Sequence, residues 1–402
     1  MKVLVANIGS TSFKYSLLNM PEGTVLGKGR VERIGRPGGD CSTYAAAIDR
    51  CLETVVGDGK PLSSLKELAA VGFKAVHAGA LTGARLVNEE VLQAMEEVSF
   101  LAPAHNPPYM AAMRAFALSI PEVPLVALFE TAFFDQVPEA ATTYALPFSW
   151  RQQSQIRRYG FHGASHRFAS ERAQALCPRT NLRHISCHLG GSSSLAAIRG
   201  GVAIDCSFGM SPQSGLPQNN RAGDIDVFAV FYMMKKTGTG VDEMARILSS
   251  ESGLEGISGL SGDVRDLSEA AATGNRRAQL ALDVYVYHVR RYLGSFLLEL
   301  GGLDILTFSG GIGENDSQIR SGICIGLENF GVQLDDSING SVSGETRISH
   351  DHAAVEVWVI PTNEEWIVAR AAAELVGSEN RKRLVPADFH LSVLSESKTG
   401  NL

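Results

Sequence analysis

The chain has 402 residues, of which 45% are hydrophobic and 20% are charged, and this composition is typical of a globular protein with enough apolar material for large cores. At roughly one domain per 150 residues, the length predicts two or three domains. The net charge of −7 argues against a nucleic-acid partner, which would require a basic face. Nucleotides stay possible as ligands, because a single phosphate site needs only local positive charge and backbone N–H groups.

Strand and helix patterns alternate through the first half of the chain. Residues 2–6 and 13–18 have the apolar patterns of two short strands, and the Gly/Ser/Thr segment 8–12 between them predicts a β-hairpin. Helical spacing is found at 43–56 and 90–99, and buried-strand patterns at 69–77 and 122–134.

The second half repeats this layout. Strand patterns at 184–189 and 195–198 enclose a second Gly/Ser turn at 190–194, so both halves open with the same kind of hairpin. Further strands are predicted at 202–205, 305–308 and 355–360, a Gly-rich turn at 309–313, and helices at 166–176, 266–273, 276–300 and 364–376. Two similar halves predict a duplicated α/β domain with a cleft between them.

The cysteine pattern and the apolar runs predict the compartment. No stretch of about 18 apolar residues occurs, and the N-terminus begins directly with a strand pattern and lacks the apolar core of a signal peptide. No C-x-x-C pair or zinc-type spacing occurs, so we predict reduced thiols for Cys41, Cys51, Cys177, Cys187, Cys206 and Cys324. The sequence therefore predicts a soluble, cytoplasmic protein with no membrane partner.

The two Gly/Ser hairpins are the first candidates for phosphate binding. The segment 7–14 places Ser10, Ser12 and Lys14 at a hairpin whose N–H groups and hydroxyls could hold phosphate oxygens. The segment 190–194 has the same character. Either one alone could be an ordinary turn, but two hairpins facing one cleft would provide donors along a triphosphate. Neither has the G-x-x-x-x-G-K-[ST] spacing of a Walker loop.

The segment 309–315, with the sequence SGGIGEN, is a third candidate. Its small residues would let a flat adenine or a phosphate approach the backbone closely. The glycines could instead serve packing at a strand-to-helix turn. The segment does not satisfy the G-x-G-x-x-G pattern of dinucleotide-binding folds.

Histidine and arginine side chains add candidates for phosphate chemistry. His162 and His166 are four residues apart but lack the Glu of H-E-x-x-H, so a phosphate contact for His162 and a structural role for His166 fit better than a zinc site. A capping or core role for His162 is the alternative. The Arg221 guanidinium is suited to charge on a transferring phosphoryl group, and the alternative is a surface ion pair with Asp224 or Asp226.

A carboxylate after the last predicted strand is suited to a metal ion. Glu364 lies in the segment 361–365, and a strand-end carboxylate can hold Mg²⁺ directly or through water. Thr362 or Asn363 could instead cap a helix whose dipole favours the acidic residues that follow. Both roles are compatible, since they fall on neighbouring residues.

Together these motifs resemble those of the acetate kinase family, of the actin-fold superfamily of sugar kinases and Hsp70-like proteins. The resemblance covers residues 1–376, and four more segments follow the family's order: LAPAHNPP at 101–108, YALP at 144–147, SGLSGDVRD at 258–266 and GIGEN at 311–315. It implies an α/β fold of duplicated actin-like ATPase (ribonuclease H-like) domains around a central nucleotide cleft.

The same resemblance implies the domain limits. We expect an N-terminal actin-like domain that spans 1–132 and is completed by 365–385. A C-terminal nucleotide-binding domain would span 133–364, and 386–402 would be a loose polar tail. Because related kinases form twofold dimers, we also expect a homodimer. The apolar stretch 284–298 is a candidate dimer face, although it could equally be core.

The resemblance also implies a role for each matching residue. The expected catalytic residues are Lys14, Lys74, Glu130, His162 and Arg221, with phosphate contacts from His105 and His162. The expected metal ligands for Mg²⁺ or Mn²⁺ are Asn7 and Glu364, and the expected substrate pocket consists of Lys74, Val76, Ala104 and Pro212. The expected nucleotide-binding residues are Ser10, Ser12, Lys14, His188, Gly190, Gly191, Ser192, Asp263, Val264, Arg265, Gly311, Ile312 and Asn315.

Five positions depart from the family pattern, all of them in the expected site. Lys74 replaces an arginine that grips the substrate carboxylate, so a planar fork becomes a point charge. Glu130 replaces a catalytic aspartate, Gly191 an asparagine of the second hairpin, and Asn219 a glycine. Ala104 replaces a larger apolar residue, which would leave room for a longer acyl chain such as that of propionate.

The expected activity is reversible, ATP-dependent phosphorylation of a short-chain carboxylate by direct in-line transfer. The partners would be ATP and a small acid. One alternative is a nucleotide-binding paralogue with weak or no activity, which the departures would explain. A second is a kinase of the same fold that acts on a hydroxyl, with Glu130 as its base.

Overall fold

The strands of this computed structural model, which describes residues 1–9 and 11–384, form two six-stranded sheets. The first sheet contains β1 (Lys2–Ile8), β2 (Phe13–Asn19), β3 (Thr24–Val31), β4 (Leu68–Ala75), β5 (Ala84–Leu86) and β6 (Leu125–Phe129). The second contains β7 (Arg183–Leu189), β8 (Ser193–Arg199), β9 (Val202–Cys206), β10 (Ile305–Ser309), β11 (Thr346–Arg347) and β12 (Glu356–Val359). Ser10 and the predicted tail 386–402 lie outside the described residues.

Both sheets follow one topological plan. In the first, the antiparallel run β3-β2-β1 continues into the parallel strands β4 and β6 and ends on the short antiparallel β5. In the second, β9-β8-β7 continues into the parallel β10 and β12 and ends on the antiparallel β11. The predicted duplicated α/β fold with a hairpin at the start of each half is therefore confirmed.

Fifteen α-helices within the described residues cover and connect the sheets. They are α1 (Tyr44–Val55), α2 (Glu89–Glu97), α3 (Asn106–Ser119), α4 (Glu139–Thr142), α5 (Phe148–Ser154), α6 (Gly163–Leu176), α7 (Val227–Thr237), α8 (Val241–Ser250), α9 (Gly253–Ser258), α10 (Val264–Ala272), α11 (Arg276–Leu300), α12 (Gly310–Asn315), α13 (Ser317–Cys324), α14 (Asp336–Gly340) and α15 (Glu364–Leu384). Short 3₁₀ turns occupy Leu65–Glu67, Ala132–Phe134 and Glu328–Phe330.

The three largest apolar clusters of the described residues hold helices on the sheets. One face of the first sheet packs on α1 and α3, and the other face on α6 and α15, where Val5 lies in one cluster with Val368 and Ala372. In the second sheet, Tyr285 and Phe296 of α11 belong to the cluster that includes the inner strands. Because α15 covers β1 and β4, the last described helix belongs structurally to the sheet that opens the chain.

The structure differs from the sequence prediction in a few elements. The Gly-rich segment 309–313, predicted as a turn, leads directly from β10 into α12, because Gly310 adopts a positive φ of 77° and its N–H is capped by Glu314 Oε1 at 3.0 Å. The last helix extends beyond 376 to Leu384. None of the helices among the described residues is both long and apolar enough to cross a lipid bilayer.

Candidate active site

The parallel strands bring the candidate residues to one edge of each sheet. β1, β4 and β6 are parallel, so their carboxyl ends meet, and these ends carry Asn7, Lys74 and Glu130. In the second sheet, β7, β10 and β12 end at the second hairpin, the Gly-rich segment and the 361–365 segment in the same way. Ligands of open α/β sheets bind outside the carboxyl ends of the strands.

The first hairpin places Lys14 and Asn7 on the same side of the sheet. The two residues are direct cross-strand partners, and such partners project to one face. Gly9 N–H donates to Ser12 O at 2.8 Å, which closes the tip of the hairpin. The hydroxyl of Tyr109 donates a hydrogen bond to Asn7 Oδ1 at 3.3 Å and so helps to fix the Asn7 side chain. The expected ligand Ser10 lies outside the described residues.

Lys74 and Glu364 join the two ends of the chain in one ion pair. The Nζ atom of Lys74 donates to Glu364 Oε2 at 2.9 Å, with both side chains about one-fifth exposed. Burial opposes the charge on Lys74, but the carboxylates of Glu364 and Glu130 raise its pKa above the usual range. The ammonium is therefore charged throughout the physiological range. Asn363 caps α15 by accepting from Trp366 N–H at 3.1 Å, so Glu364 is free for this pairing.

Glu130 is a buried carboxyl that accepts no side-chain hydrogen bond from the described residues. Only 4% of the residue is exposed, and neither carboxylate oxygen makes a hydrogen bond with a described residue. Burial raises the pKa of Glu130 to about 7, although Lys74 opposes the shift. The end of β6 is held against the start of α6, since Gly163 N–H donates to Glu130 O at 3.0 Å. A Cβ at Gly163 would lie 2.2 Å from that carbonyl oxygen, so only glycine allows this approach.

His162 begins α6 in a left-handed conformation, with φ of 59°. Its Nδ1 lies 2.8 Å from Ser194 Oγ, and the same hydroxyl lies 2.8 Å from Nε2 of His166, so the serine can donate to one ring and accept from the other. Burial and the neighbouring His188 lower the pKa of His162 well below its usual range. The imidazole is therefore neutral at pH 7 and offers a hydrogen bond, not a charge, to a phosphate.

His105 lies at the N-cap position of α3. Burial, with the charges of Arg221 and Lys74, lowers the pKa of His105 to about 4. This ring therefore lies within electrostatic range of cationic residues from both halves of the molecule. Its Nδ1 is buried and makes no hydrogen bond with a described residue.

Arg221 forms no ion pair with Asp224, Asp226 or any other described acid. Its Nη1 makes long hydrogen bonds of 3.3 to 3.4 Å to Ser192 Oγ, Pro212 O and Gln218 Oε1. Burial lowers the pKa of the guanidinium, but arginine stays protonated in proteins. A partly buried cation with weak neutral partners is ready to bind an anion.

A cavity of about 420 Å³ lies between the second hairpin and the Gly-rich segment. It is lined by Gly190, Gly191, Asn219, Asp263, Val264, Arg265, Gly311, Ile312, Asn315 and Asp316. Asp263 caps α10 and binds Arg265 Nη2 at 2.6 Å, so the pair forms one wall. The structure therefore brings together eight of the expected nucleotide-binding residues. Two more expected residues are held by hydrogen bonds. Ser165 Oγ lies 2.7 Å from His188 Nδ1, and Ser192 Oγ donates to Gln218 Oε1 at 2.6 Å.

The expected acyl pocket is only partly enclosed. Val76 packs in a small apolar cluster with Ala102, Phe161 and Phe208, whereas Ala104 is exposed. Pro212 is buried. Phe161 was not among the expected pocket residues, although its position directly before His162 gave a sequence signal.

Carboxylate oxygens without partners fit a hard cation. A second cavity, of about 310 Å³, is lined by Asn7, Lys74, Thr362, Glu364 and neighbouring residues. Glu364 Oε1 and Thr362 Oγ1 are buried there without a hydrogen bond to a described residue. Among the described residues no three His, Cys, Asp or Glu side chains form a complete metal cage. This donor set fits Mg²⁺, which is usually held by one or two carboxylates together with water and substrate phosphates.

The sequence did not identify three residues that support the site residues through hydrogen bonds. Gln218 is buried and donates from Nε2 to Pro212 O at 2.9 Å while its Oε1 accepts from Ser192. Tyr109 holds Asn7, and Ser194 links two histidines. Ser194 lay within a recognised hairpin, but no spacing in the sequence singled out Gln218 or Tyr109.

The chain is similar to known proteins along nearly its whole length. The family described as the Acetokinase family matches residues 2–370. The chain is 42% identical over 392 residues to acetate kinase of Shouchella clausii, covering 93% of this chain and 99% of that protein. It is also 42% identical over 405 residues to acetate kinase of Dictyoglomus turgidum, covering 96% and 100%.

Solved structures of the same kind superpose over nearly the whole chain. Porphyromonas gingivalis acetate kinase aligns with a TM-score of 0.82 at 35% identity, covering 96% of this chain and 100% of that one. A propionate kinase from Francisella tularensis aligns with a TM-score of 0.84 at 32% identity, covering 92% and 98%. The chain therefore belongs to the acetokinase family.

Proposed function

We propose that this protein is a carboxylate kinase, which transfers the γ-phosphoryl group of ATP reversibly to a short-chain acid such as acetate or propionate. The strongest support is that, in a chain of this family, the charges of Lys74, Glu130 and Glu364 act on one another and those of Lys74 and Arg221 both act on the buried His105 and His162. The paralogue without useful turnover, and the kinase that acts on a hydroxyl, are not favoured by any observation.

The acid needs no general base. A carboxylic acid with an ordinary pKa near 4 to 5 is ionised at pH 7, so the site must supply position and charge neutralisation. Lys74 would hold the acceptor carboxylate. An ammonium has three N–H donors, and Glu364 occupies one, so the others are available to the acid.

Transfer would be in line, with charge on the moving phosphoryl group stabilised from several sides. Arg221 and Lys14 would provide positive charge, and the neutral His162 and His105 would provide hydrogen bonds. Burial of these groups strengthens their effect, because preorganised donors in a site of low polarity stabilise developing charge more than water does.

Mg²⁺, or Mn²⁺, would be held by Asn7 and Glu364, with Glu130 positioning its water ligands. When bound, the ion would neutralise phosphate oxygens. The unpartnered oxygens of Glu130 and Glu364 support this assignment. Approach of the two halves over the cleft would exclude water and limit wasteful hydrolysis of ATP.

The proposal is tested by acyl phosphate formation. Purified protein would receive Mg-ATP with acetate, propionate or butyrate, and hydroxylamine would trap the product. Product with at least one acid is expected. ATP binding without product from any acid would favour the paralogue, and sugar phosphorylation would favour the kinase that acts on a hydroxyl.

Replacing Ala104 with leucine should shift the enzyme towards the shorter acid. Ala104 belongs to the expected acyl pocket and is exposed, and one methylene in such a pocket is worth about 1–3 kcal/mol. We expect A104L to lower the ratio of kcat/KM for propionate over acetate by about 10-fold. A111L, at an exposed alanine of α3, is the control. An unchanged ratio in A104L would contradict the role of Ala104 in acid selection.

The protein would act as a homodimer through α7. No residue of this helix is buried, and two of its aromatic side chains are largely exposed, Phe228 by 74% and Tyr232 by 63%. An exposed aromatic patch of this kind is typical of an interface. Asp226 lies at one end of the helix and Lys235 and Lys236 at the other, so a twofold-related copy would align opposite charges. The stretch 284–298 is a weaker candidate, since it contributes Tyr285, Val289, Leu293 and Phe296 to the core.

Sedimentation would test the dimer. F228S/F231S should raise the dimer dissociation constant by at least about 100-fold, because each buried interface aromatic is worth about 2 kcal/mol. F330S, which removes an exposed phenylalanine elsewhere in the second half, should leave association unchanged. An unchanged dimer in the double variant would place the interface elsewhere.

The domain division follows the same proposal. We place residues 1–132 and 365–385 in one domain and 133–364 in the other, and the packing of α15 on β1 and β4 supports this division over the part described. A cytoplasmic location is supported by the six cysteines, all of which are free.

A further inference from the structure

Two of the departures from the family pattern lie in contact with each other. Gly191 is in the second hairpin and Asn219 is 28 residues further on, yet the backbone N–H of Asn219 donates to Gly191 O at 3.2 Å. A Cβ placed on Gly191 would lie 3.2 Å from Asn219 Nδ2 and 3.6 Å from its Cγ. The amide of Asn219 therefore occupies the space that a side chain at position 191 would enter.

The Asn219 amide is available to a ligand. It lines the cavity that also contains Gly190, Gly191 and the 311–315 segment, and it makes no hydrogen bond with any side chain or backbone group of the described residues. A polar side chain at the wall of a binding cavity, with no protein partner, has its full donor and acceptor capacity left for a bound molecule.

The backbone that carries Asn219 is fixed on both sides. Ser192 donates to Gln218 at 2.6 Å and accepts from Arg221 at 3.4 Å, which ties this loop to the hairpin. On the opposite side, Gly253, with φ of 60°, lets α9 approach so closely that a Cβ there would lie 2.1 Å from Gln218 O. The backbone that carries the amide is thus held in position, which limits where the amide can reach in the cavity.

We propose that Asn219 binds the phosphate chain of the nucleotide in place of a side chain at position 191. The amide has moved from the hairpin to the facing loop, and the two substitutions compensate for each other. This inference rests on the proposed function, because it requires that the cavity take a nucleoside triphosphate. It predicts that the loss of a donor at 191 does not weaken nucleotide binding in this chain.

A swap of the two residues tests the proposal. Mg-ATP affinity would be measured by calorimetry for N219A, G191N and the double variant G191N/N219G. Neither position has a positive φ, so asparagine and glycine can exchange without backbone strain. We expect N219A to weaken binding by about 10- to 100-fold, as for the loss of one hydrogen bond to a charged group. G191N should weaken it by about 10-fold, because its side chain must displace Asn219.

The double variant should return to within about threefold of the wild type, since it restores one amide in the same space. N220A, which removes an amide one residue along, is the matched control and should stay within about threefold. Unchanged binding in N219A, or a double variant that binds no better than N219A, would overturn the proposal. A wild-type protein that binds no Mg-ATP would instead refute the proposed function.

Discussion

Replacing Arg221 with alanine should lower kcat for acyl phosphate formation by about 10³-fold, with a much smaller effect on the KM for ATP. Arg221 has only weak, neutral hydrogen-bond partners, so its charge is not used within the protein. Its interaction energy is therefore available to the transferring phosphoryl group. Because charge on that group changes during transfer, the loss should appear in kcat.

Steady-state kinetics with a folding control would check this result. R114A, at an exposed arginine whose ion pair with Glu89 spans 3.9 Å, should keep kcat within about twofold. R221K retains the positive charge but lacks the planar guanidinium, so its kcat should lie between those of R221A and the wild type. A kcat for R221A within about 10-fold of the wild type, in protein with an unchanged Tm, would contradict the assigned role.

The second large effect is expected at Glu130, through both rate and pH dependence. Burial raises the pKa of Glu130 to about 7, so the carboxyl is largely protonated at pH 6 and ionised at pH 8. If the ionised form positions the metal's water ligands, kcat/KM should rise about 10-fold per pH unit below 7 and level off above it. E130Q should lower kcat/KM by about 10²-fold and remove this limb.

The stability of the same variant provides an independent measurement. An unfolded glutamate has a pKa of about 4.3, so between that value and 7 the folded protein holds a proton that the unfolded chain has released. The contribution of Glu130 to the free energy of unfolding is therefore present at low pH and lost as the pH rises through 7. The Tm of E130Q minus that of the wild type should therefore increase from pH 5 to pH 8. The same difference for E122Q, at an exposed glutamate, should stay constant. A constant Tm difference would show that the pKa of Glu130 is ordinary.

Local patterns in the sequence were sufficient for the architecture. The Gly/Ser tips between short apolar strands predicted both hairpins, and helical spacing predicted α11 with the bounds that the structure has. The exposed aromatic helix α7 was missed, because its all-round apolar character gives no amphipathic period.

The chemical state of the site could not be predicted in this way. A neutral His162 and a raised pKa for Glu130 follow from burial and from neighbours that come from distant parts of the chain. The sequence also presented Gly191 and Asn219 as two independent losses. Only the fold shows that the two positions share one space, since no local pattern connects residues 28 positions apart.

The packing of α15 on β1 determines when this protein can fold during synthesis. Val3 and Val5 near the start of the chain pack with Ile367 and Val368, so this face of the first sheet is covered only in part, by α6, until α15 has been synthesised. Glu364, which pairs with Lys74, arrives with the same helix. Such contacts between distant segments form slowly and leave apolar surface exposed meanwhile. The nascent chain therefore keeps apolar surface exposed for longer than a protein whose domains are continuous in sequence, and it gains the Lys74–Glu364 ion pair only when α15 docks.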